Sequence, residues 1–325
     1  MTGPLDSFGR SINYLRISVT DRCNLRCLYC MPPEGIPRIP HSEILSYEEV
    51  RTVVQAVAEL GINRIRLTGG EPLVRAELPK LIQMLSQIEG IQELSLTTNG
   101  TILKKYALEF KQAGLSRVNV SLDTLKPDKF QYITRLGELK NVLEGIEAAK
   151  KAGFEPVKIN TVVMQGINDD EILDFARMTY KEGWHVRFVE LMPFEGVAEF
   201  VPSIELRQHI SLLGKLEPCA SITGNGPAMY YRLAGAKGTI GFISPLTEPS
   251  FCSRCNRMRL TPDGRLRPCL LREDEIDLKL PLRNNASMEE LKRLILKAIA
   301  SKPEHHHLEG GNVRLVKRKM SQIGG

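Results

Sequence analysis

Aromatic side chains are scarce in this 325-residue chain: they make up 6% of it, with a single tryptophan. Proteins that bind single-stranded nucleic acid interleave aromatic and basic side chains so that bases can stack. No such stripe occurs here, and a nucleic-acid partner is not expected. Long apolar runs are also missing. None approaches the roughly 18 residues of a membrane span, and residues 1–10 have neither the basic start nor the apolar stretch of a signal peptide. The expected location is therefore cytoplasmic, with no membrane partner. The net charge of +6 is compatible with an anionic ligand and too small to imply a nucleic acid. What remains, 42% apolar and 25% charged, is ordinary for a globular protein. The length allows one large α/β domain with an appendage, or two domains.

Seven cysteines are an awkward number for disulfides, and in a reducing compartment clustered thiols read as metal ligands. Cys23, Cys27 and Cys30 stand at C-x3-C-x2-C spacing, and the next cysteine is Cys219. A cubane iron–sulfur cluster normally takes four thiolates, so a trio leaves one iron open to a ligand from outside the protein. Zinc is the competing reading, since a Cys3His shell needs only one distant histidine. Gly69 and Gly70, followed by Glu71 and Pro72, end a strand-like run and let the backbone approach a ligand closely. A second trio follows late in the chain. Cys252 and Cys255 form C-x2-C, and Cys269 lies beyond the turn sequence Thr261-Pro262-Asp263-Gly264. Zinc competes evenly there, because a knuckle followed by a hairpin is how zinc ribbons are built. Cys219 reads as a small apolar residue, and His305, His306 and His307 as a solvated polar run.

Short β-branched runs at 15–19, 64–68, 94–97, 117–122, 157–163 and 186–191 alternate with amphipathic helical stretches, as βα units do. Ser46 and Glu49 have the spacing of a capping box, and Gly61, Gly114, Gly153 and Gly183 sit where helices should end. Repeated right-handed crossovers build a barrel or an open sheet, with functional residues at the C-terminal strand ends. The segment 201–241, rich in Gly, Pro and Ser, reads as a domain boundary or an irregular extension.

The segment 14–33 with its trio, together with the Gly69-Gly70 run, resembles the radical S-adenosylmethionine (SAM) enzymes. With segments 120–125, 158–168, 187–193 and 251–270 and the terminal Gly324-Gly325, nearly the whole chain resembles the GTP 3′,8-cyclase family of molybdenum-cofactor biosynthesis. The resemblance implies an α/β fold: an incomplete (β/α)6 TIM-like barrel in residues 1–195, with residues 196–325 as a C-terminal extension carrying a second cluster. It implies two [4Fe-4S] clusters, one on Cys23, Cys27 and Cys30 and one on Cys252, Cys255 and Cys269. Tyr29, Gly70, Ser121 and Met192 are implied for SAM. Arg16, Arg66, Thr97, Lys158, Arg257, Met258 and Arg259 are implied for GTP. Catalytic roles would fall to Arg257, Arg259, Gly324 and Gly325, with the tail threaded into the barrel and Lys317, Arg318 and Lys319 orienting it. The implied reaction abstracts hydrogen from C3′ of GTP with a deoxyadenosyl radical and closes C3′ onto C8. Implied partners are GTP, a reductant protein such as a flavodoxin or ferredoxin, and cyclic pyranopterin monophosphate synthase as recipient of the product; a homodimer is compatible. The alternative is a radical SAM enzyme acting on a peptide or an RNA, which shares the first trio but has no need of arginines beside the second.

Overall fold

The computed structural model describes residues 3–193, 198–220, 224–306 and 318–324. Gly325, His307, Lys317 and the expected boundary at 195/196 lie outside the described residues. Six βα units run in chain order: β1 (Tyr14–Ser18), α1 (Tyr47–Glu59), β2 (Arg64–Thr68), α2 (Leu78–Ser86), β3 (Glu93–Thr98), α3 (Leu103–Gln112), β4 (Arg117–Ser121), α4 (Pro127–Thr134), α5 (Leu139–Lys151), β5 (Lys158–Val163), α6 (Ile172–Lys181) and β6 (His185–Glu190). Ser46 accepts from the Glu49 amide while the Glu49 carboxylate accepts from the Ser46 amide, the expected capping box at the start of α1. The four glycines expected to end helices all have positive φ.

Strands β1 to β6 pair side by side and in parallel, giving the expected incomplete barrel. The later chain continues the same sheet. It forms α7 (Ser203–Ile210), β7 (Leu216–Cys219), β8 (Met229–Leu233), β9 (Ile240–Ile243), β10 (Arg257–Leu260), β11 (Arg265–Arg267), β12 (Ile276–Asp277), α8 (Lys279–Arg283), α9 (Met288–Ala300) and α10 (Met320–Ile323). Strand β9 joins β6 in parallel, and β10 joins β1 in parallel at the opposite edge. Each carries an antiparallel outer pair, β8-β7 on one side and β11-β12 on the other. The segment 201–241 is therefore more ordered than its composition suggests. Its β7-β8 hairpin gains regularity by pairing onto β9 and its α7 by packing against α6, contacts that composition does not encode.

Strand side chains alternate between faces, and here the alternation is inverted relative to a solvent-facing sheet. Leu15 and Ile17, Ile65 and Leu67, Leu94 and Leu96, Val118 and Val120, Val186 and Phe188 point outward into the core beneath the helices. The alternate positions, Arg16, Arg66, Thr97, Ser121, Asn160 and Arg187, border the concave side.

One buried carboxylate ties the extension to the barrel. Glu190, 1% exposed at the end of β6, accepts from the amides of Ser203 at 3.3 Å, Leu246 at 2.9 Å and Thr247 at 3.2 Å, and from the Thr247 hydroxyl. Glu190→Ala strands these donors. At about 1–3 kcal/mol for each buried unsatisfied group, the substitution is expected to lower unfolding free energy by on the order of 3 kcal/mol or more. Urea denaturation checks this, and an unchanged midpoint would mean that Glu190 does not anchor the extension.

Candidate active site

The first trio lies in the loop between β1 and α1, and α4 shapes that loop. The amides of Arg26 and Leu28 donate to the carbonyls of Thr134 and Ile133, both at 3.0 Å. Arg135, just past α4, donates from Nη1 to the carbonyls of Arg26 at 2.8 Å and Met31 at 2.9 Å. The glycine pair after β2 packs against the start of the same loop. The Gly70 amide donates to Thr20 O at 2.7 Å, and a Cβ on Gly70 would stand 2.4 Å from the Arg22 carbonyl oxygen. Besides leaving room for a ligand, glycine here lets two chain segments touch. Glu71 then joins β2 to β3, accepting from the Thr98 hydroxyl and the Asn99 amide, both at 2.7 Å. Burial pushes its carboxyl up to about 7 against these bonds.

The second trio forms across the hairpin. Cys252 and Cys255 sit in a turn, with the Cys255 amide bonded to the Cys252 carbonyl at 3.0 Å, and Cys269 follows β11. The intervening Thr261–Gly264 turn closes as expected, its Gly264 amide donating to Thr261 O at 3.0 Å. Burial raises the Cys255 thiol, but the positive charges of Arg257 and Lys302 outweigh it and bring it down to about 6. Arg257 Nη2 lies 3.4 Å from Cys255 Sγ.

Between the trios lies a row of cations. Arg259, Arg16 and Arg66 are register partners on the adjacent parallel strands β10, β1 and β2, and Arg187 faces them from β6 across the same cavity. Like charges on neighbouring strands repel, and burial adds to the penalty. The Arg16 guanidinium is held well below its ordinary value by burial, then by Arg259 and Arg66. Arg66 and Arg259 both fall to about 10, chiefly from burial. Arg16 Nε, Arg187 Nε, Thr97 Oγ1 and Asn160 Oδ1 are buried and have no hydrogen-bond partner. A cavity of about 320 Å³ lined by arginines and unanswered polar atoms is chemically suited to a polar anion.

That single cavity is bordered by all six cysteines of the two trios, by Arg16, Arg66, Thr97, Arg257 and Arg259, and by Tyr29, Gly70, Ser121 and Met192. Two residues expected at the site lie elsewhere. Met258, 1% exposed, points into the apolar core because it alternates with Arg257 and Arg259. Lys158 is not among the lining residues; it lies 3.2 Å from the Tyr230 hydroxyl, and burial with the charges of Arg187, Arg117 and Arg66 lowers it to about 6. Gly324 reaches the barrel mouth. Its carbonyl accepts from Arg259 Nη1 at 2.8 Å, its φ is +81°, and a Cβ there would stand 2.9 Å from both Ser18 Cβ and Thr68 Cγ2. Arg318 anchors the tail on Asp263 at 2.9 Å and Glu275 at 2.7 Å.

Sequence reasoning passed over Asn160, Arg187, Lys302 and His306 as site residues. Asn160 and Arg187 were findable, because they stand at alternate positions of expected strands, as do Arg16 and Arg66, which only the family resemblance had implied. Asp123 accepts from the Tyr29 hydroxyl at 2.7 Å and from the Val162 amide at 2.8 Å, fixing the ring at the cavity. His306 departs from the solvated run expected: it lines the cavity, with Nε2 2.5 Å from Pro245 O. No local signal announced it.

The donor sets also test which metal group fits. A structural zinc needs its sulfurs gathered at about 2.3 Å from one ion, and among the described residues no three His, Cys, Asp or Glu side chains are arranged to hold a single ion. Each trio instead edges an open cavity, as suits a cluster whose irons stand at separate corners with one corner left for a ligand.

Comparison with known proteins gives a consistent result. Residues 17–179 match the Radical SAM superfamily and residues 184–308 the Molybdenum Cofactor Synthesis C family. The GTP 3′,8-cyclase of Moorella thermoacetica is 52% identical, over 98% of this chain and 99% of that protein. That of Pelotomaculum thermopropionicum is 53% identical, over 98% and 99%. Streptococcus suis SuiB bound to S-adenosylmethionine superposes with a TM-score of 0.61 at 14% identity, covering 83% of this chain. This chain spans 64% of the SuiB chain's length, and at that identity the likeness concerns the fold alone.

Gly70→Ala drives a Cβ into the Arg22 carbonyl. Overpacking of this kind typically costs about 1–3 kcal/mol, and a loss of that size is expected in urea unfolding. Wild-type stability would show that the contact between loop and strand end relaxes freely.

Proposed function

This chain belongs to the GTP 3′,8-cyclase family of radical SAM enzymes, and we propose that its cavity holds SAM at the first cysteine trio and GTP between the two. The reaction converts GTP to (8S)-3′,8-cyclo-7,8-dihydroguanosine 5′-triphosphate. The carrying observation is that one cavity joins both trios through a row of arginines that no carboxylate among the described residues pairs with.

Cys23, Cys27 and Cys30 would hold one [4Fe-4S] cluster, and Cys252, Cys255 and Cys269 the other. When bound to the first cluster, SAM supplies on one-electron cleavage the deoxyadenosyl radical that removes hydrogen from C3′. Everything else falls to side chains. Arg16, Arg66 and Arg187 offer guanidinium forks to the triphosphate, and binding of an anion there relieves the repulsion among them. Lys158, beside Tyr230, is held toward neutrality by burial and by Arg187, Arg117 and Arg66, so it would take up its charge only once the triphosphate lies among them. Thr97 Oγ1 and Asn160 Oδ1, buried and unpartnered, are free to bond the polar parts of either ligand. Ser121, Met192 and the Gly70 backbone would bracket SAM, with Tyr29 held in place by Asp123. Arg257 and Arg259 flank the guanine end, beside the second trio.

The tail closes the arrangement. Gly324 occupies the end of β1 and β2, where any Cβ would meet Ser18 and Thr68, and its carbonyl fixes the Arg259 guanidinium. With Met320 and Ser321 at the cavity wall, the tail helps exclude water, and a carbon radical survives only where competing hydrogen donors are kept away. A soluble reductant such as a flavodoxin or ferredoxin would deliver the electron. The product's cyclised triphosphate would pass to the cyclic pyranopterin monophosphate synthase.

Two measurements test this reading. Anaerobically reconstituted protein is expected to carry roughly eight irons, and Cys252, Cys255, Cys269→Ala together should retain about half. One zinc with about four irons would remove the second cluster. Deleting Gly324 and Gly325 is expected to leave iron content and GTP affinity nearly unchanged while deuterium transfer from 3′-labelled GTP into deoxyadenosine collapses. Full transfer by the truncated enzyme would show the tail to be dispensable.

A further inference from the structure

The chain just after α9 crosses the second trio as a strap. Lys302 is 3% exposed, and its Nζ donates to the carbonyls of Arg257 at 2.8 Å and Pro268 at 2.6 Å. Arg257 follows Cys255 by two residues, and Pro268 directly precedes Cys269. One ammonium thus joins the two chain segments that carry these thiols, and the Cys255 thiol itself stands beside it. The next two residues are held from the opposite end of the sequence. Arg10 donates from Nη2 to Pro303 O at 2.6 Å, and from Nη1 to both Glu304 O and Cys252 O at 2.9 Å. Asp6 pins Arg10 through a buried 2.6 Å ion pair. Farther along, His306 bonds Pro245 O.

Positioning alone does not account for the choice of lysine. A neutral amide could donate to two carbonyls, whereas burying an ammonium costs several kcal/mol unless an opposite charge answers it. Among the described residues no carboxylate forms an ion pair with Lys302. The negative charge facing it is that of the thiolates and of whatever they hold.

We propose that Lys302 is a positioning and redox-tuning residue of the distal site: it clamps the Cys255 and Cys269 segments together, and its fixed positive charge favours the reduced form of the second cluster. This rests on the reading that Cys252, Cys255 and Cys269 hold that cluster. A cation at short range in a poorly screened interior stabilises an added electron. Removing the charge while keeping a donor should therefore shift the one-electron couple of the distal cluster to more negative potential, with the irons retained.

The test uses the full chain with Cys23, Cys27 and Cys30→Ala, so that only the distal cluster remains, titrated anaerobically with dithionite and followed by electron paramagnetic resonance. Lys302→Gln is expected to keep about four irons and to show a roughly tenfold lower ratio of reduced to oxidised cluster at a fixed poise, about 59 mV for one electron. Lys302→Arg, which keeps the charge, should stay within about twofold of the parent. An unchanged midpoint in Lys302→Gln overturns the inference, as does an equal shift in Lys302→Arg. If Lys302→Gln loses its iron, whether or not Lys302→Arg keeps it, Lys302 serves assembly or packing and the redox-tuning inference is overturned. An iron-free parent would remove the second cluster itself, and with it the reading on which the inference rests.

Discussion

The structure turns on positive charge gathered inside the barrel, with no carboxylate among the described residues paired to it. Arg259, Arg16 and Arg66 sit in register on three adjacent strands, and Arg187 closes the ring from β6. Such a row is unfavourable in an empty barrel: the strands pay desolvation and repulsion together. It would become favourable once a polyanion lay among them, which suits the row to the proposed triphosphate. The apolar outward faces of the same strands, packed under the helices, are what hold the guanidinium groups in that arrangement.

The remaining features serve the two ends of this charged groove. At one end α4 and the Gly69-Gly70 backbone shape the loop of the first trio. At the other, the hairpin from β10 to β11 and the strap at Lys302 shape the loop of the second. Both depend on hydrogen bonds to backbone carbonyls from segments remote in sequence, such as those of the Arg10 side chain to Cys252 and Glu304. The tail then spans the mouth, tied outside by Arg318 to Asp263 and Glu275 and inside by Gly324 to Arg259. Arg259 is thus shared between the cationic row and the tail, which couples the position of the tail to whatever occupies the row.

Local chemistry was legible in the sequence. The cysteine spacings, the Ser46 and Glu49 capping box, the turn at Thr261 to Gly264 and the six strands each depend on residues a few positions apart, and the structure contains all of them. The polar alternation was legible too: a charged residue at every second position of an otherwise apolar strand marks an interior polar face. Arg16 and Arg66, which the family resemblance implied, follow this period, and the same period points to Asn160 and Arg187.

What the tertiary structure alone decided is convergence. Met258 lies between two cavity arginines yet faces the core, because strand alternation fixes its side chain on the other face. Lys158 sits off the cavity wall against the Tyr230 hydroxyl, a contact between residues 72 positions apart. The β7-β8 hairpin depended on strand pairing with β9, and the burial of Lys302 and the placement of His306 at the cavity on contacts with segments more than thirty residues away. By itself the sequence determined which chemistry is available, because thiol spacing and side-chain period are local properties. The fold determined where that chemistry acts, because only closing the sheet into an arc brings Cys23 and Cys269 to the walls of one cavity.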